Sequence, residues 1–131
     1  MPGQYRTQAD LIVAVLGRLG VLSAGQPVDA EDVNVVTSEL DGIFRKISAL
    51  EIVTIPDPQN IPGVYFADLA DIVAGECATK FGVKTEDYVM LMNKGLGGVQ
   101  GIDVGSGAAA KSLRQITRGR PNYETLRVQY L

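Results

Sequence analysis

The chain has 131 residues, the length of one domain, and its apolar fraction of 46% excludes disorder over the whole length. One cysteine and no histidine exclude an internal disulfide and remove both the usual general base and the commonest metal ligand. Residues 1–104 contain seven Lys/Arg and fourteen Asp/Glu, whereas residues 105–131 contain five Lys/Arg and one Glu. We therefore expect the basic C-terminal segment to meet an acidic surface, in the same molecule, a partner protein or a nucleic acid.

Nothing in the sequence predicts a membrane segment. The longest apolar run, residues 11–16, is six residues long, whereas a membrane span needs roughly 18. The first ten residues lack the apolar stretch of a signal peptide. We expect an intracellular product.

Two helices are predicted in the first half of the chain. Thr7 is a suitable N-cap with Asp10 three residues on, and apolar residues at helical spacing follow as far as Leu19, so this helix should be central in the core. Gly20 is expected to end it. Asp29 should cap a second helix, whose apolar stripe runs from Val33 to Leu50 with a period of 3.6 residues.

The middle of the chain predicts an interruption and then a third helix. Residues 51–55 are short and β-branched, which favours a brief extended segment. Three prolines, Pro56, Pro58 and Pro62, should prevent regular structure through Ile61. A helix is then predicted from about Gly63 to Phe81.

The last third predicts a fourth helix capped by Thr85, and then a glycine-rich stretch from Gly95 to Gly107 that should be a flexible or irregular connection. A further helix is expected over 108–117, with a break at Gly119 and Pro121. The predicted fold is all-α: a small bundle of about four to five helices with an extended C-terminal arm. Residues 1–107 would form the bundle with the glycine-rich connection at its end, and residues 108–131 the C-terminal helix and docking arm.

One stretch resembles a phosphate-binding loop. Residues 105–112 end in Lys111-Ser112, but Ala110 stands where the second glycine of the motif belongs. No buried strand is predicted before it, and a helical chain offers no parallel sheet. We therefore interpret the stretch as a small-residue linker that leads into a helix, and we predict no cofactor and no enzymatic activity.

Two other features have a chemical and a structural interpretation. Asp68, Asp71 and Glu76 could be a carboxylate cluster for a divalent ion, but Glu76 points elsewhere on a helix, so a solvated face is favoured. Cys77 lies on the apolar stripe without an activating neighbour, which predicts a buried structural residue rather than a nucleophile.

The C-terminal segment is the strongest candidate for binding. Its arginines could contact nucleic-acid phosphates and its tyrosines could stack on bases. The sequence pI near 4.8 disfavours this interpretation. Alternation of Leu126, Val128 and Tyr130 after Pro121 favours an extended segment that docks in a groove of a protein. A small helical DNA-binding or regulatory module is the alternative hypothesis.

The order and spacing of several weak motifs resemble the bacteriophage head-to-tail adaptor (connector) proteins, small helical proteins that attach beneath the portal ring. The stretches that carry the resemblance are Asp10-Leu-Ile-Val-Ala-Val-Leu-Gly-Arg-Leu-Gly-Val-Leu-Ser-Ala-Gly-Gln-Pro27, Asp29-Ala-Glu-Asp, Leu40-Asp-Gly-Ile-Phe44, Tyr65-Phe-Ala-Asp-Leu-Ala, Ala78-Thr-Lys-Phe-Gly-Val83, Leu113-Arg, Arg120-Pro-Asn-Tyr123 and Tyr130-Leu131. Two features depart from the family: the segment between the second and third helices is short, and Gly95–Gly107 interrupts what is often one long helix.

The resemblance implies a structural virion protein at the head-tail junction. Its partners would be the portal protein, the next tail component and neighbouring copies in a ring, commonly of twelve, through which genomic DNA passes without specific recognition. The C-terminal segment would contact the portal. The docking residues that the resemblance implies are Arg114, Arg118, Arg120, Pro121, Tyr123, Arg127 and Tyr130.

Overall fold

Five α-helices make up most of the described chain in a computed structural model. The structure describes residues 5–22 and 25–129, and for residues 119–129 it describes only the helical backbone. The elements in chain order are β1 (Tyr5–Arg6), α1 (Gln8–Arg18), α2 (Ala30–Ala49), β2 (Ile61–Pro62), α3 (Gly63–Cys77), a short 3₁₀ helix (Ala78–Phe81), α4 (Thr85–Lys94) and α5 (Ala108–Gln129). The predicted small all-α bundle is confirmed.

The central element is α3, which packs against α1, α2, α4 and α5. Leu69, Ala70, Ile72, Val73 and Ala74 are all fully buried along its length. The prediction that α1 would be central was wrong. One side of α1 faces solvent: Val13 is 44% exposed, and Ala9 and Gly17 are exposed as well. The apolar face of α1 is therefore narrower than predicted, and α3 lies between the other helices.

Side chains at the helix ends explain where α1 and α2 begin. The Thr7 hydroxyl accepts a hydrogen bond from the Asp10 amide at 3.2 Å, and the Asp10 carboxylate accepts one from the Thr7 amide at 3.3 Å. This reciprocal pair is the predicted capping box. Asp29 caps α2 by accepting from the Glu31 amide at 2.8 Å. Both predicted starts are confirmed.

Two helix boundaries differ slightly from the prediction. The α-helical part of α3 ends at Cys77, and residues 78–81 continue as a 3₁₀ helix, the tighter form common at helix ends. Gly82 stops it in the left-handed conformation, with φ of 65°. Lys84, rather than Thr85, is the N-cap of α4, and it makes no side-chain capping bond.

The proline-containing segment was also predicted incompletely. Residues 51–55 form no strand, although Ile52 and Val53 are buried. Instead β2 pairs antiparallel with β1, with Tyr5 opposite Pro62 and Arg6 opposite Ile61. A proline can occupy this place because an edge position does not require its missing N–H. The pair fixes the start of the chain beside α3.

The predicted extended arm is the main error in the fold. The structure continues α5 through Gly119 and Pro121 to Gln129 as one helix. Gly and Pro raise the free energy of a helix interior by about 1 and 3 kcal/mol relative to alanine, but they do not forbid it. Gly119 and Pro121 therefore lower the stability of α5 but do not end it.

Thr7 and Thr85 were both predicted as N-caps, but only Thr7 accepts a capping hydrogen bond. Substitution of each threonine tests this difference. We expect Thr7→Ala to lower the free energy of unfolding by about 1 kcal/mol, because the Asp10 amide loses its acceptor. Thr85→Ala should change it by less than about 0.5 kcal/mol, since a surface substitution away from a cap is nearly neutral. Urea unfolding followed by circular dichroism measures both, and equal losses would contradict the assignment of the caps.

Candidate docking helix and the loop that holds it

The glycine-rich stretch before α5 is irregular, as predicted, but its backbone is extensively hydrogen-bonded. The Gly97 amide donates to the Met92 carbonyl at 2.6 Å, and the amides of Gly105 and Gly107 both donate to the Leu96 carbonyl, at 2.7 and 3.1 Å. Leu96 itself is 1% exposed. The prediction allowed a flexible or an irregular connection, and the structure shows the second: a folded loop built around one buried leucine.

Two glycines allow the loop to approach other backbone closely. A Cβ atom on Gly95 would lie 2.7 Å from the Asp71 carbonyl oxygen and 2.9 Å from the Ile72 Cα atom. A Cβ on Gly107 would collide with the Gly95 carbonyl oxygen and with the Gly97 amide nitrogen. These contacts set the first turn of α5 directly against the end of α4 and the middle of α3.

Gly95→Ala should consequently lower the free energy of unfolding by about 1–3 kcal/mol, because α3 backbone must move to admit the methyl group. Gly42→Ala is the matched control, since Gly42 lies in α2 with no atom within 4 Å of its added Cβ. There the same change should stabilise the chain by about 0.5–1 kcal/mol. Denaturant titration of both variants decides the point, and a stabilised Gly95→Ala would contradict the close approach.

Arg114 joins the loop, α5 and the end of α2. One terminal nitrogen of its guanidinium donates to the Gly105 carbonyl at 2.6 Å, and the other donates to the Leu50 carbonyl at 3.1 Å. The Thr117 hydroxyl, one turn later, shares its single proton between two acceptors, the Arg114 carbonyl at 3.1 Å and the Ile52 carbonyl at 3.4 Å. The resemblance implied that Arg114 docks a partner, whereas its side chain is engaged within the molecule. No sequence motif marks this role.

Removing the Arg114 guanidinium should destabilise the fold, because its two hydrogen bonds hold α5 to the loop and to the end of α2. We expect Arg114→Met to lower the free energy of unfolding by about 1–3 kcal/mol, because two partly buried carbonyls lose their donors while the apolar stem is kept. Arg118 is exposed, so Arg118→Met should change stability by less than about 0.5 kcal/mol. The two unfolding curves are compared directly. Equal midpoints would mean that Arg114 does not hold α5.

The other predicted docking residues lie beyond these internal contacts. Arg118 is exposed on α5. Arg120, Pro121, Tyr123 and Arg127 belong to the same helix, but their side chains lie outside the described part, and Tyr130 lies outside the described residues altogether. Thr117 is the last residue of α5 with a described contact to the body.

The loop that resembles a phosphate site has its amides committed elsewhere. The Ser106 amide donates to the Asp103 carbonyl, the Ala110 amide to the Gly95 carbonyl and the Lys111 amide to the Gly107 carbonyl. A phosphate would need such amides free to donate. The Ser112 hydroxyl donates to Asp68 at 2.7 Å. This arrangement supports the interpretation of the stretch as a linker into a helix.

The three carboxylates of α3 bind three different partners. Asp68 accepts from Ser112, Asp71 pairs with Arg18 at 2.7 Å, and Glu76 pairs with Lys46 at 2.8 Å. Among the side chains that the structure describes, in residues 5–22 and 25–118, no group of acidic or cysteine residues could hold a metal ion. The carboxylates instead tie α1, α2 and α5 to α3.

Two titratable groups of α3 have raised pKa values. Burial raises the pKa of the Asp68 carboxyl, and the hydrogen bond donated by Ser112 lowers it and so offsets part of that rise. Cys77 is fully buried, and burial, together with the nearby carboxylates of Glu39 and Glu76, raises the pKa of its thiol to about 12. A thiol held neutral in this way is a poor nucleophile, which agrees with the structural role predicted for Cys77.

Comparisons of the chain with protein-family models, with curated proteins and with solved structures gave no match. Among the helices of the described residues, none combines the length and apolarity of a membrane span.

Proposed function

We propose that the chain is a head-to-tail adaptor of a bacteriophage virion, which forms a ring beneath the portal and passes the DNA to the tail. The observation that carries the proposal is the separation between a helical body and a basic end of α5. The sequence resemblance over most of the chain supports the same function.

The charge distribution supports a structural assembly role. Residues 1–104 have a net negative charge. Residues 105–131 contain five basic residues, and all of them except Lys111 lie at or beyond Arg114. Acidic surface along a channel repels DNA, which lets the polymer pass without adhering. The basic segment is then available for a partner surface of opposite charge. Adjacent ring subunits would meet through head-to-tail contacts.

The geometry of α5 supports docking by its outer half. The inner half is fixed by Arg114 and Thr117. From Arg118 to Gln129 the helix continues for about 18 Å at 1.5 Å per residue. A helix that starts in the body and carries charge beyond it can reach a partner without rearrangement of the body. Docking by a helix replaces the extended segment that the sequence predicted.

Deletion of residues 119–131 tests the proposal. The truncated chain should no longer cosediment with assembled rings of its cognate portal protein. Its helical ellipticity should fall only in proportion to the helical residues removed, because Arg114 and Thr117 still hold α5. Attachment equal to that of the full chain would exclude the C-terminal docking role.

A charge-reversed pair refines this test without truncation. Arg118→Glu should raise the Kd for the portal about tenfold or more, because opposed like charges at an interface cost several kcal/mol. Arg45→Glu is the matched control, since Arg45 is exposed in α2 and pairs only with the exposed Asp41 among the described residues. Equal effects of the two reversals would point to net charge rather than to α5.

A further inference from the structure

An apolar groove of about 320 Å³ opens between the first halves of α1 and α2. Its apolar lining comes from Ala9, Ile12 and Val13 of α1, from Val33 of α2 and from Val28 of the preceding loop. Val13 is 44% exposed and Val28 is 41% exposed. The two exposed valines thus belong to one concave apolar surface and are not scattered singly.

The surroundings of the groove are acidic. Of the six acidic residues between positions 7 and 44, Asp10 pairs with Arg6, Glu39 with Lys80 and Asp41 with Arg45. The other three, Asp29, Glu31 and Asp32, lie together at the start of α2, and Arg18 is bound to Asp71. Asp29 and Asp32 adjoin the lining residues Val28 and Val33 in sequence. Neither carboxylate forms an ion pair within the described residues. The groove therefore suits a segment that combines apolar side chains with positive charge.

The C-terminal segment of the chain has this composition. Residues 118–131 contain three arginines and a single acidic residue, Glu124. Tyr123, Leu126 and Tyr130 are spaced as i, i+3 and i+7, the spacing by which an amphipathic helix fills a groove. We propose that the groove binds residues 118–131 of a second copy of the chain.

The geometry favours a second copy over the chain's own C-terminal segment. Thr117 contacts the carbonyl of Ile52, just beyond the end of α2. The groove lies at the other end of α2, around Val33, about 25 Å away along the helix axis at 1.5 Å per residue. Since α5 continues as a helix past Thr117, the segment cannot turn back to its own groove without unwinding. A neighbouring copy meets no such restriction.

This contact uses the segment that the proposed function assigns to the portal, so the two partners compete for it. Free copies would associate through groove and segment, and binding to the portal would release the groove. The contact between the groove and the segment of a second copy can form whether or not the chain binds a portal. Because it is heterologous, it can propagate from copy to copy.

Complementation between two defective chains tests the proposal by sedimentation velocity at low salt. Val13→Lys blocks the groove and keeps the segment, whereas Tyr123→Ala/Leu126→Ala weakens the segment and keeps the groove. Each variant alone should have a dissociation constant raised about tenfold or more, because one anchoring side chain contributes at least about 1.4 kcal/mol. A mixture of the two should form a one-to-one heterodimer, since one intact groove meets one intact segment.

Three controls make the outcome decisive. Val64→Lys changes a valine that is 54% exposed outside the groove, so its association should equal that of the unaltered chain. Thr37→Lys is a second groove variant at an exposed lining position, for use if Val13→Lys loses its helical circular dichroism. Association should also weaken in 0.5 M NaCl, where exposed charges are screened.

Three results would overturn the proposal: an unaltered chain that stays monomeric at every concentration, equal effects of Val13→Lys and Val64→Lys, or an inert mixture. Portal attachment separates the proposal from the proposed function. Val13→Lys should still cosediment with the portal, whereas deletion of residues 119–131 should not. Loss of self-association together with retained portal attachment is thus the expected result for the groove variant.

Discussion

The close approach of Gly95 and Gly107 is the contact on which the rest of the structure depends. It brings the end of α4, the middle of α3 and the first turn of α5 within van der Waals distance, at positions where any β-carbon would collide with backbone. Leu96 is buried between the two glycines, and its carbonyl accepts hydrogen bonds from the amides of Gly105 and Gly107. Arg114 then fixes α5 to the end of α2. The direction of α5 is therefore set by backbone packing.

Because the inner half of α5 is fixed to the body, the outer half can act as a docking element in the proposed function. If the loop were a hinge, ordering the C-terminal segment on a partner would cost conformational entropy at each assembly step. With α5 already fixed through Thr117, less ordering is left for the moment of docking. The paired carboxylates of α3 serve the same purpose, because they tie three helices to one central helix. Self-association and portal attachment would then be alternative uses of one preformed helix.

The sequence predicted the helices well where local chemistry determines them. Apolar periodicity and the caps at Thr7 and Asp29 identified α1 and α2, because these signals lie within a few residues. The folded form of the glycine-rich loop could not be predicted, since it depends on contacts between residues apart in sequence, such as Leu96 with Gly105 and Arg114 with Leu50. Composition assigned glycine to flexibility, and in this loop tertiary packing overrides that preference. Proline was assigned to a break, but its cost of about 3 kcal/mol in a helix interior does not forbid the helix that continues through Pro121. The α1–α2 groove is likewise a product of packing, and sequence periodicity alone gave no sign of it.

Native-state hydrogen exchange of the full chain, with and without assembled portal rings, tests the central claim most directly: α5 is held at its inner half and docks with its outer half. The amides of Gly97, Gly105 and Gly107 should exchange as slowly as those of α3 in both samples, because each donates to a carbonyl inside the fold. Exchange across residues 119–129 should become slower when the portal is added. Fast exchange at the three glycines, or no change across residues 119–129, would contradict the account.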